Sequence, residues 1–143
     1  MLIEWKVGYQ THYEAVDSQH QALVSLLNRF FNEVTHGVSL GQVKRTVEDL
    51  ESYARFHFSE EEAIMRKVSS LNFNMHERDH RLFEQKVAEI NSLLDIDYKA
   101  AALMAVDYLS SWVVHHVLLV DQKYLTAPVS RQLYGRAPEV YII

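Results

Sequence analysis

Hydrophobic positions return every three or four residues along most of this chain, the spacing of helices that bury one face. Four such stretches can be followed. In the first, Val16, His20, Leu23/Val24, Leu27, Phe31 and Val34 fall in step, and the pattern stops near Gly37. In the second, Val43, Val47, Leu50, Ala54, His57, Glu61 and Ile64/Met65 keep the same rhythm. The third runs through Phe73, His76, His80, Phe83, Val87, Ile90 and Leu94, and the fourth through Tyr98, Ala102, Ala105, Leu109, Trp112 and His116 before Pro128. Thr11 with Glu14, Ser39 with Gln42 and Asn74 with Glu77 each have the spacing of a capping box at a helix start. No stretch alternates apolar and polar residues as a half-buried strand would. Short connections make sequential helices antiparallel neighbours. The pattern therefore predicts an all-α, up-down-up-down antiparallel four-helix bundle in a single domain over residues 1–143, with its core at about residues 12–126. Residues 1–12 form an N-terminal arm, and the C-terminal tail 127–143, ending VYII, is expected to pack on the bundle.

Each stripe contains a residue that a hydrocarbon core would not choose. His20, His57, His76, His80 and His116 all fall on inward faces, and so does Glu61. A buried carboxylate without a partner costs several kcal/mol or takes up a proton. One core histidine is usually satisfied by a hydrogen bond. Five on four facing helices would each need a separate buried partner, whereas a metal meets the demand of all at once. The spacing agrees, because residues i and i+4 stack on one helix face. His57 with Glu61, and His76 with His80, have that spacing. His115 sits about 100° round the helix from His116 and off the apolar stripe, so His116 is taken as the inward one. His12, His36 and His115 are read as surface residues. Asp121, five residues after His116, lies roughly 140° away on an ideal helix. It reaches the same centre only through a wide position in the bundle or a π-type turn, and periodicity leaves both readings of Asp121 open.

Composition narrows the chemistry. The chain has 143 residues, 48% hydrophobic and 23% charged, enough apolar material for one core. It contains no cysteine, which removes disulfides, thiolate ligands and cysteine nucleophiles, so any metal must be held by nitrogen and oxygen. A formal net charge of -5 argues against a nucleic-acid partner. No run of 18 apolar residues suggests a membrane span, and the start MLIEWKVGYQ has no apolar stretch of signal-peptide length. A cytoplasmic protein is expected.

The stretch HERDH, His76 to His80, fits the H-E-x-x-H of zinc peptidases. The residues that follow, RLFEQKVAEI, lack the glycine and third histidine of the metzincin pattern, and no sheet is visible beside which a substrate could lie. A peptidase is therefore not expected.

Four motifs in order carry a resemblance instead. HFSEEE (His57–Glu62) resembles the H-F-x-x-E-E of hemerythrins. VGYQTHYEAVDSQH (Val7–His20) is similar to the bacterial start ending in D-x-x-H, HERDH to H-x-x-x-H, and WVVHHVLLVDQKY (Trp112–Tyr124) to W-x-x-x-H-x-x-x-x-D-x-x-Y. The likeness covers roughly residues 5 to 125 and is closest to single-domain bacterial hemerythrins. It implies two non-heme iron ions bridged by an oxo or hydroxo group, Glu61 and Asp121. One iron would be held by His76, His80 and His116. The other, held by His20 and His57, would keep an open position for dioxygen. Leu23, Phe58, Trp112, Val113 and Val117 match family positions that line an apolar O2 pocket, and they also suit ordinary bundle core. Val113 and Val117 stand where the family often has leucine and isoleucine, which predicts a roomier pocket.

The resemblance implies reversible dioxygen binding for storage, delivery or sensing, by a binding protein rather than an enzyme. A diiron peroxidase or oxidase, or a nitric-oxide-handling enzyme, is the alternative. Oxygen-activating diiron bundles are rich in carboxylates with Glu-x-x-His pairs. Five histidines with two carboxylates supply fewer anionic donors, which favours reversible binding over O–O cleavage. The partners expected are O2 and, second, NO, with no nucleic acid, no membrane and no assigned protein recipient.

Overall fold

A computed structural model describes residues 3–11, 13–68 and 70–120. Helix α1 spans Glu14–Thr35, α2 Leu40–Val68, α3 Ser70–Leu94 and α4 Tyr98–Trp112, which runs on directly into a π-helical segment, Val113–Val120. No strand occurs among the described residues. Each helix packs on the next, and α1 against α4 closes the ring, so the predicted four-helix bundle is the observed architecture. Cross-helix pairs show the alternating direction. From Gln19–His57 to Arg29–Thr46 to Glu33–Gln42, one index rises as the other falls. The pairs Arg81–Glu62 and Arg55–Glu84 do the same between α2 and α3.

Sequence explains where the helices turn. Gly37 adopts φ +66, the left-handed conformation that releases the chain after α1 with no Cβ penalty. The Ser39 hydroxyl accepts the Gln42 N–H at 3.2 Å and starts α2 as the spacing predicted, although the Gln42 side chain goes to Glu33. Asp97 caps α4 by accepting the Ala100 N–H. The other two capping boxes are corrected. Thr11 pairs with Asp17 rather than Glu14, through its N–H at 2.8 Å and its hydroxyl at 2.9 Å, and α1 begins after Tyr13 with no side-chain cap. Asn74 lies exposed inside α3, which already begins at Ser70, so it cannot be the residue before the helix.

Away from the histidines the core is hydrocarbon. Leu27, Phe30, Phe31, Leu50, Ile90, Leu94 and Leu109 are fully buried, and Ala101 and Ala105 let α4 approach closely. Each large side chain of this kind contributes about 1.5–3 kcal/mol by leaving water. The arm docks on α1 through Asn28, which bonds both the N–H and the carbonyl of Ile3 at 2.8 and 2.9 Å. Trp5 and Tyr9 pack on the core beside it. The tail 127–143 lies outside the described residues.

Candidate metal centre

The i, i+4 pairs do what their spacing predicts. His57 and Glu61 project from α2, His76 and His80 from α3, His20 from α1, and His116 from the π-helical segment. All six are buried, four of them at 0% exposure. Their donor atoms form two sets, Glu61 with His76, His80 and His116, and Glu61 with His20 and His57, each within 4.8 Å. Glu61 is the shared member, and its two oxygens divide the work. Oε1 faces His76 in a short contact and His80 Nε2 at 3.4 Å, while Oε2 faces His57 Nε2 at 3.0 Å and His20 Nε2 at 4.0 Å.

Outer partners decide which ring nitrogens point inward as acceptors. His57 Nδ1 donates to Gln19 Oε1 at 2.8 Å, and His80 Nδ1 donates to Glu62 Oε2 at 2.7 Å. A neutral imidazole carries one N–H, so Nε2 of each ring presents a lone pair to the centre. His80 Nε2 makes no hydrogen bond among the described residues and looks at a carboxylate oxygen. His57 Nε2 lies 3.1 Å from His20 Nε2 as well as 3.0 Å from Glu61 Oε2. Lone pairs converging on lone pairs need something positive between them.

Protons fill that role poorly at neutral pH. Burial, reinforced by His57, lowers the His20 pKa well below its ordinary value, and burial with His76 beside it brings His116 down to about 3. Burial alone would raise the Glu61 carboxyl, but the imidazoles it touches, with His76 in a short hydrogen bond, outweigh it and hold it well below the usual range. The centre is therefore an anion among neutral bases, the state that binds cations. Metal–nitrogen bonds of ~2.1 Å put neighbouring donors of one ion ~3 Å apart, which matches the His20–His57 and His57–Glu61 separations of 3.1 and 3.0 Å. The donor set fits metal ions, in two groups that share Glu61.

The π-helical segment bears on the backbone that carries His116. An α-helix separates positions i and i+5 by roughly 140°, whereas the wider i→i+5 winding brings them roughly onto one face, and such turns occur mostly at functional sites. His116 lies within this segment. Asp121 is outside the described residues, as is His12. His36 and His115 are exposed, as expected for surface residues.

Apolar rings cover the three-histidine set. Phe58 stacks on His80, centroids 3.9 Å apart at 6°, and Trp112 stacks on His116 at 4.4 Å. Leu23 and Val113 are buried in the adjoining core. The Val117 side chain lies outside the described residues. A cavity of about 470 Å³, lined by Met75, Asp79, Tyr108, Ser111, Trp112 and the two adjacent histidines, reaches His116 from solvent.

Sequence reasoning missed the outer partners Gln19, Glu62 and Asp79, the last with Oδ2 3.7 Å from His116 Nδ1. A signal existed for each. All three stand next to a histidine or glutamate of the centre in the chain, and Gln19 and Glu62 are polar yet buried.

Residues 11–127 match the family model described as the hemerythrin HHE cation binding domain. The chain is 25% identical over 129 residues to a bacteriohemerythrin of Clostridium acetobutylicum, covering 87% of this chain and 99% of the relative. It is 24% identical to a bacteriohemerythrin of Pseudomonas aeruginosa, over 86% of this chain and 79% of that one. It is also 24% identical to a myohemerythrin of Riftia pachyptila, over 84% and 88% respectively.

Proposed function

Starting from the fact that this chain belongs to the hemerythrin family, we propose that it binds dioxygen reversibly at a non-heme diiron centre, as a binding protein for oxygen storage, delivery or sensing. The observation that carries the reading is the division of Glu61, with one oxygen turned to each histidine set. His76, His80 and His116 would hold one iron and His20 and His57 the other, with Glu61 and Asp121 bridging. When bound, the ferrous pair supplies the two electrons that dioxygen needs.

The chain's own residues do the rest. Gln19 and Glu62 orient His57 and His80 so that their Nε2 atoms face inward. Phe58, Trp112, Val113 and Leu23 exclude water from the buried donors, and Val117 is assigned to the same lining. The low pKa of His20 and His116 keeps both rings neutral and ready to coordinate at neutral pH. No helix of the described residues is long and apolar enough to cross a membrane, and the bundle is proposed to act as one domain.

Anaerobic reconstitution with ferrous iron, followed by metal analysis and absorption spectra before air, in air and after degassing, tests the proposal. Two irons per chain and a visible band that comes with oxygen and leaves on degassing are expected. Steady consumption of peroxide or nitric oxide without a reversible oxygen adduct would overturn reversible binding in favour of an enzyme.

A further inference from the structure

The two halves of the centre are held from outside by groups of different charge. His57 donates Nδ1–H to the neutral amide of Gln19 at 2.8 Å. His80 donates Nδ1–H to the carboxylate of Glu62 at 2.7 Å, and Glu62 is only 6% exposed. On the same half, the carboxylate of Asp79 lies 3.7 Å from His116 Nδ1. Arg81 does not cancel this asymmetry. Its guanidinium reaches Glu62 at 2.8 Å and also Glu84 at 3.0 Å, which Arg55 faces at 4.0 Å, and the Arg81 side chain is half exposed to screening water, which weakens its charge on Glu62.

An acceptor on the outer N–H of a histidine raises the basicity of the inner nitrogen. A buried carboxylate does so more strongly than an amide, because the hydrogen bond is charge-assisted. We infer that Glu62 and Gln19 are positioning residues that rank the two halves of the centre. Glu62 makes the half formed by His76, His80 and His116 the tighter one, which fills first with a divalent cation, while Gln19 leaves the His20–His57 half weaker. Donor number alone gives the same order, with three imidazoles against two, so the charge of the outer partner must be varied by itself. This inference rests on the proposed two-metal reading of the site.

The probe is zinc, added in steps to the metal-free protein, with calorimetry for affinity and histidine ring ¹⁵N resonances for location. At one equivalent, the signals of His76, His80 and His116 should shift while those of His20 and His57 stay in place. Glu62→Gln keeps an oxygen acceptor but removes the charge. It should weaken the first step about 10- to 100-fold, the usual size of an outer-partner effect, and leave the second step within about twofold. Gln19→Glu should tighten the second step and narrow the gap, and Glu62→Asp should restore the first step in part. An unaltered first step in a folded Glu62→Gln protein overturns the inference and leaves donor number as the cause. Simultaneous movement of both sets of signals overturns it too, while the two-metal reading stands. Failure to bind zinc at all sinks both.

Discussion

The bundle is built on opposite principles at its two ends. Around Leu27, Phe30, Leu50, Ile90 and Leu109 the interior is hydrocarbon, and Glu33, the buried acid at that end, is fully provided for. The Thr46 hydroxyl donates to it in a 2.5 Å hydrogen bond, the Gln42 amide donates at 3.0 Å, and Arg29 stands 3.9 Å away. At the other end Glu61 is surrounded by imidazoles, two of which turn acceptor nitrogens toward it. The same residue type is buried in both places. With donors supplied, a buried carboxylate ties two helices together. With acceptors supplied, it becomes half of a binding site whose other half is a cation. The hydrocarbon end should fold without help, and the histidine end should depend on what it holds.

The largest effect should come from Glu61→Gln, which removes the charge shared by both sets. Iron content is expected to fall from two to below one per chain, with affinity down more than about 100-fold. Circular dichroism should still report a helical bundle. Retention of two irons would erase the contrast drawn with Glu33.

Next comes Phe30→Ala at the other end. It should cost about 3–5 kcal/mol of unfolding free energy, measured by denaturant titration, by about the same amount with and without metal. Chelation, by contrast, should lower stability only through the histidine end. Hydrogen exchange should show new opening near His57 and His76 while Leu50 and Ile90 stay protected.

The third prediction concerns acid. In the metal-free protein, His116 titrates at about 3 rather than at the ordinary 6.5. Between those values the unfolded chain binds a proton that the folded one refuses, so stability falls as pH is lowered from 6.5 toward 3, by several kcal/mol. His20 is lowered as well and Glu61 is held low, and both act in the same direction. Thermal melts from pH 7 to pH 4 should show the loss, and His116→Gln should flatten it.

The smallest effect should follow from enlarging the side chains at the two positions proposed to line the oxygen pocket. Val113→Leu with Val117→Ile restores two methylene-sized groups and should slow autoxidation of the oxygen adduct a few-fold, measured by its decay in air. An unchanged rate would remove pocket volume as a factor.

Much of the site was visible in one dimension. His20, His57, Glu61, His76 and His80 announced themselves as polar residues on apolar stripes, and the choice of His116 over His115 came from a 100° turn. Helix boundaries were less legible. The capping box at Thr11 failed because Thr11 found Asp17, and the one at Asn74 because α3 had already begun at Ser70.

By itself the sequence determined which side chains share a helix face, because stacking at i and i+4 is a property of one helix. The family motifs, HFSEEE among them, had the same one-dimensional origin. Only the tertiary structure decided which Glu61 oxygen meets which histidines, which ring nitrogen keeps its lone pair, and that the backbone around His116 winds as a π-helix. The reason is that these depend on neighbours from other helices. Gln19 sets the tautomer of His57 from the neighbouring helix, and Glu62 does so for His80, at distances along the chain that no local pattern records.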